Sequence, residues 1–160
     1  MNKTKEYSRG TVVFREGETG NSMYNIDFGK VGVYRGYGTK DEKQIAELDT
    51  DKVFGEMSLL DHAPRSATLV VLEDHTLLSE ISEEDFYEFF EKNPMKLVNI
   101  MTNMCNRLRK TTQDYKEACH TVYDAVETEK KGEKKSKPLI ERINELCEFY
   151  STMSYYPYFD

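Results

Sequence analysis

The spacing of apolar positions changes near residue 82, and that change divides the chain. From residue 10 to 83 apolar side chains come in short runs or alternate with polar ones, and glycines punctuate them. Gly10-Thr11-Val12-Val13-Phe14 predicts a short strand and residues 16–21 a turn. Residues 23–28 alternate like a half-buried strand, which Gly29 ends before Val31-Gly32-Val33-Tyr34 begins the next. A hairpin loop over 36–41 leads to a return strand at 45–48, and runs at 67–72 and 76–81 complete the set. Seven or eight short strands with Gly-rich turns predict a sandwich or jelly roll.

Beyond residue 82 the period becomes helical. Ser82-Glu83-Glu84-Asp85 is a start resembling a capping box, and Phe86, Phe89 and Phe90 share one face of the helix it opens. Asn93-Pro94 breaks that helix and places a proline in the first turn of the next. From there Leu97, Met101, Met104, Leu108, Thr111, Tyr115, Ala118, Val122 and Ala125 follow alternating spacings of four and three. That is a heptad seam on a rod of about 50 Å, too long to bury its stripe along one small roll. The expected partner is a second copy of the chain. A linker of mixed charge, Gly132 and Pro138 follows, then an amphipathic stretch with Leu139, Ile143, Leu146 and Tyr150 on one face. The expected organisation is a mainly β domain over 1–93, a long dimerisation helix over 94–129, a charged linker over 130–138, and a short helix with an aromatic tail over 139–160.

Composition narrows the function classes. At 160 residues, 38% hydrophobic and 32% charged, the chain suits one globular domain with an appendage. It contains no apolar run near 18 residues and no apolar leader after Met1, so neither membrane nor export is expected. Cys105, Cys119 and Cys147 are widely spaced and odd in number, which suits reduced thiols and a cytoplasmic setting. A net charge of −7 argues against a nucleic-acid surface. His62, His75 and His120 are scattered, so neither a metal site nor a metal-dependent roll enzyme is expected. No nucleophile–base pair or cofactor motif stands out, and the reading is a non-enzymatic protein without a cofactor.

The chemistry concentrates in residues 54–68, Phe-Gly-Glu-Met-Ser-Leu-Leu-Asp-His-Ala-Pro-Arg-Ser-Ala-Thr. Gly55 lets the backbone approach a ligand closely, and the N–H groups that open the turn after it favour an anion. Arg65 can add a bidentate fork to a phosphate. Glu56 then looks misplaced, since a carboxylate repels a phosphate. The conflict disappears if Glu56 accepts a hydrogen bond from a hydroxyl on the same ligand.

This segment resembles the phosphate-binding cassette of the cyclic nucleotide-binding domain family, a pattern of F-G-E-x-(A/S)-L followed by P-R-(S/T/A)-A-(T/S). The strand region resembles the family's β-roll, with Gly10, Gly17, Met23, Tyr24, Ile26, Gly29, Val31 and Val33 at the family's positions, so the resemblance implies a β-roll with a long C-terminal dimerisation helix. The resemblance implies that Glu56 binds a ribose 2′-OH and Arg65 the cyclic phosphate. It also implies ligand-binding positions at Gly55, Met57, Ser58, Ser66, Ala67, Val33 and Ile45. Two departures stand out: Asp51 replaces a usual glycine and calls for an unusual backbone angle, and Val71 replaces a usual alanine at the pocket floor.

Arg107-Leu108-Arg109-Lys110-Thr111-Thr112 resembles the run whose hydroxyls meet adenine across the dimer in the catabolite activator branch of the family. That implies Thr111 and Thr112 as base contacts, with cyclic AMP favoured. Ser66 keeps cyclic GMP open, because a hydroxyl after the cassette arginine can hold guanine's amino group. Relatives in that branch carry a helix-turn-helix domain after the long helix. One short helix and an acidic end are too little for such a domain, so a sensor with an unknown protein as output is expected, without nucleic acid. The alternative is a dimeric scaffold whose pocket no longer binds nucleotide.

Overall fold

The computed structural model describes residues 3–130, 141 and 143–145. Eight strands form two four-stranded antiparallel sheets. The first sheet has the order β1 (Lys3–Tyr7), β8 (Thr76–Ser82), β3 (Ser22–Phe28), β6 (Val53–Phe54). The second has the order β2 (Val12–Phe14), β7 (Thr68–Val71), β4 (Val31–Arg35), β5 (Lys43–Leu48). Three helices join the strands within residues 3–130: α1 (Glu56–Asp61) between β6 and β7, then α2 (Phe86–Lys92) and α3 (Pro94–Lys130). The β-roll with a long helix is therefore present as the sequence predicted.

Two strands were not anticipated. β1 carries no apolar alternation, and only Tyr7 on it is even half-buried. It forms because it lies along β8, with Lys3 opposite Glu80 and Tyr7 opposite Thr76. β6 is two residues long and pairs Phe54 with Tyr24 and Val53 with Asn25. Neither leaves a period-2 signal for a sequence to show.

The chain divides between Met101 and Thr102 into two units. In the first, Met23, Ile26, Val31, Val33, Leu48, Val71, Leu78 and Ile81 are fully buried, so the inward faces of both sheets supply the core. A second apolar cluster joins helices to sheet: Met23 and Ile81 meet Leu59 of α1 and Phe89 and Phe90 of α2. Ile100, in the second turn of α3, packs against it. The Phe86 and Phe90 rings stand edge-on 4.8 Å apart, a favourable geometry for aromatic pairs.

The capping box at Ser82 is present in altered form. Ser82 Oγ accepts the Asp85 N–H at 3.3 Å, yet the intervening residues form a turn and the helix proper starts at Phe86. Asn93 separates the two helices and Pro94 opens the second, as expected. Asp51 takes φ 71°, the unusual angle foreseen for it. Lys96 of α3 reaches that corner, donating to the Asp51 carbonyl at 2.9 Å and to Asn25 Oδ1 at 2.8 Å.

α3 runs unbroken over 37 residues. Along the heptad seam Leu97, Met101, Leu108, Tyr115 and Val122 are exposed, while Ala125 is buried. The linker expected over 130–138 lies, after Lys130, outside the described residues. The same holds for the stretch 139–160, apart from Glu141 and 143–145, which are helical. Among the described residues no helix is long and apolar enough to cross a membrane.

Candidate anion-binding site

β6 delivers the chain to Gly55, which sits at φ 78° and ψ 7° as the residue before α1. That left-handed conformation turns the strand sharply into the helix and is costly for any residue with a Cβ. α1 ends on His62, also left-handed at φ 55°, and the chain doubles back through Ala63 and Pro64 to Arg65. Arg65 is pinned by its own backbone: its N–H donates to Glu18 O and its carbonyl accepts from Gly17 N–H, both at 2.8 Å. The turn at residues 15–21 and the cassette thus hold each other in place.

The Arg65 side chain points back under this corner and is 5% exposed. Nη1 donates to Gly55 O at 2.9 Å and to Ser58 Oγ at 2.7 Å, and Nη2 donates to Ser22 O at 2.7 Å. Cζ lies 4.1 Å from the centre of the Phe14 ring. Nε is buried without a hydrogen-bond partner. A guanidinium has five N–H protons, so one on Nε and one on Nη2 remain uncommitted.

Every direct acceptor here is a neutral carbonyl or hydroxyl. Burial is the main influence on the guanidinium and pulls its pKa down; Tyr24, Glu18, Glu56 and Glu80 push it back from longer range. A buried charge with neutral partners only is costly, and it creates a local demand for an anion.

The structure brings Gly55, Ser58 and Arg65 into direct contact. Glu56 and Met57 are half-buried on α1, and Glu56 acts on Arg65 through its charge. Ser66 is half-buried and Ala67 buried as the chain enters β7. Val33 is buried on β4, opposite Leu69 of β7 on one side and Ala46 of β5 on the other. Ile45 is the extra residue of a β-bulge, because Tyr34 pairs with Gln44 rather than with it. Bulges re-aim side chains next to sites.

Thr111 and Thr112 are exposed on α3, and the Thr112 hydroxyl donates to Leu108 O at 2.9 Å. His62 is exposed, and Val71 is buried in β7. Sequence reasoning missed Phe14, Gly20 and Ser22. Ser22 acts through its carbonyl, which no side-chain pattern reveals, and Phe14 and Gly20 read only as strand and turn. No cluster of three metal-ligating side chains occurs among the described residues.

The cyclic nucleotide-binding domain family matches residues 4–93, more than half of the chain. The cyclic AMP receptor protein of Thermus thermophilus is 35% identical over 103 residues, covering 64% of this chain and 47% of the relative. The cAMP-dependent protein kinase regulatory subunit of Colletotrichum orbiculare is 35% identical over 72 residues, covering 45% of this chain and 18% of the relative. The chain thus spans about half or less of the length of these curated relatives. Among solved structures, the Thermus thermophilus catabolite activator protein shares the fold with a TM-score of 0.63 at 24% identity, covering 94% of this chain and 78% of that one. With the cassette, the roll and the matched span in agreement, the chain belongs to the cyclic nucleotide-binding domain family.

Proposed function

We propose that this chain is a regulatory sensor module that binds cyclic AMP in preference to cyclic GMP and works as a homodimer paired through α3. The observation that carries the reading is the Arg65 guanidinium, buried beside α1 with neutral partners and two uncommitted N–H groups. A cyclic phosphodiester carries a single negative charge, so one buried cation balances it. A phosphate monoester carries up to two and would leave charge uncompensated. Glu56 supports a ribosyl ligand, because a carboxylate beside a phosphate is tolerable when the ligand offers it a hydroxyl.

Met57, Ser58, Ser66, Ala67, Val33 and Ile45 complete the assigned pocket around Gly55, Glu56 and Arg65. Thr111 and Thr112 take the adenine edge, and the exposed seam of α3 is the surface a second copy covers. Two of the relatives are named for cyclic AMP, which supports adenine over guanine. No bond-making step is assigned to any residue; the occupied site signals to another protein.

The test is calorimetric titration of the full chain with each nucleotide. Saturable binding with cyclic AMP the tighter ligand is expected. No heat with either nucleotide would overturn the reading, and tighter cyclic GMP would overturn the base assignment.

A further inference from the structure

The reading of Arg65 as the phosphate's counter-ion leaves open what keeps so flexible a side chain in place. An arginine loses up to about 2 kcal/mol of rotamer entropy when it is fixed, and a ligand that must do the fixing binds more weakly for it. Three hydrogen bonds hold its Nη1 and Nη2, and two further residues border the guanidinium. Phe14, at the end of β2, lies under the guanidinium with Cζ 4.1 Å from its ring centre. The ring is itself braced, with Tyr24 and Phe54 each 6.0 Å away between centroids.

Gly20 lies beside the same group. A Cβ built there would fall 2.3 Å from Nε and 2.4 Å from both Cζ and Nη2 of Arg65. These are the nitrogens that carry the uncommitted protons. Gly20 does not occupy the left-handed region, so glycine is needed there for space and not for backbone freedom.

We propose that Phe14 and Gly20 are positioning residues for the Arg65 guanidinium, the ring supplying its platform and the bare backbone at residue 20 its space. This rests on the proposed cyclic nucleotide site, but part of its test does not. Phe14→Leu keeps the apolar volume and removes the π face, whereas Phe14→Tyr keeps the ring. Gly20→Ala introduces one methyl group.

In calorimetry with cyclic AMP, Phe14→Leu should lose about 10-fold in affinity, the size of a partly desolvated cation–π contact. Phe14→Tyr should restore affinity to within about twofold, and Gly20→Ala should approach the loss seen for Arg65→Ala. Independently of nucleotide, the buried Arg65 Nε–H should give a slowly exchanging NMR signal, identified by its absence from Arg65→Lys. That signal should persist in Phe14→Tyr and exchange rapidly with water in Phe14→Leu and Gly20→Ala.

If the wild type binds no nucleotide, the functional reading fails while the Nε–H signal still reports positioning. Slow Nε–H exchange retained in both Phe14→Leu and Gly20→Ala would overturn the proposal. So would a Phe14→Leu variant that binds cyclic AMP more tightly, since the ring would then be holding the guanidinium away from the anion.

Discussion

In the roll the residue out of its usual place is a cation, Arg65, with 5% of its surface exposed. In α3 the residues out of place are apolar: Leu108 and Tyr115 are 69% and 70% exposed. Charged side chains are almost never fully buried unless paired, and a contiguous apolar stripe on a surface marks an interaction site. Each region therefore carries a local cost that a particular partner relieves. In the proposed function an anion relieves the first and a second apolar stripe the second. Their neighbours show the same contrast, since Arg65 is fixed by three hydrogen bonds and a ring while Leu108 and Tyr115 stand largely in solvent.

Breaking the buried half should have the largest effect. Arg65→Ala should abolish measurable cyclic AMP binding in calorimetry, a loss of about 3–5 kcal/mol for a phosphate left without its cation. Binding near the wild-type constant would remove the basis of the comparison. On the exposed half, Leu108→Asp should turn a dimer into monomers in light scattering at micromolar concentration, because a charge in the seam is desolvated on pairing. A wild-type chain that is already monomeric under those conditions would show that the stripe serves something else.

Glu56→Gln should weaken cyclic AMP by about 1.5–3 kcal/mol, the range for one charge-assisted hydrogen bond. The same substitution should leave a cyclic nucleotide lacking the 2′-hydroxyl unaffected. Replacing Thr111 and Thr112 together by alanine should cost about 1 kcal/mol per neutral hydrogen bond lost and narrow the preference for cyclic AMP. Unchanged affinity and selectivity would take the base-reading role away from α3.

The smallest effect is electrostatic and lies at the sheet edge. His75 precedes β8, and its Nδ1 meets the Glu6 carboxylate of β1, a hydrogen bond that raises the histidine pKa above its ordinary 6.5. The protonated pair favours the folded state fully below pH 6.5, and the contribution disappears as pH rises through the raised folded-state value. Both groups are exposed, so salt screens the pair. The melting-temperature difference between wild type and His75→Asn should be positive near pH 6 and vanish by pH 9. A difference independent of pH would contradict the assignment.

The legible parts of the chain were those where one local rule suffices. Gly55-Glu56 and Pro64-Arg65 form a spaced motif, and α1 and the left-handed Asp51 stand where the residue types placed them. The heptad seam lies on α3, which is helical from Pro94 as far as the described residues reach. What stayed hidden depends on contacts between residues distant in sequence. Arg65 meets Phe14 and the Ser22 carbonyl across more than forty positions of chain. The capping pair at Ser82 and Asp85 was visible, but the helix starts at Phe86, where the aromatic cluster with Met23 and Ile81 begins. β1 left no trace because it is held by pairing with β8 and carries no apolar alternation of its own.

That pairing of first strand with last has a kinetic consequence. Lys3 lies opposite Glu80, so nearly the whole roll must exist before its first sheet is complete. Folds dominated by such distant contacts form in roughly milliseconds to seconds, whereas a helix like α3 can grow within about a microsecond. On a ribosome adding about 5–20 residues per second, β1 waits about 4–15 s for the strand that pairs with it. An apolar strand left open for that time would recruit other chains. β1 carries Lys3, Lys5 and Glu6, and charged side chains of this kind keep a waiting edge from pairing with the wrong partner.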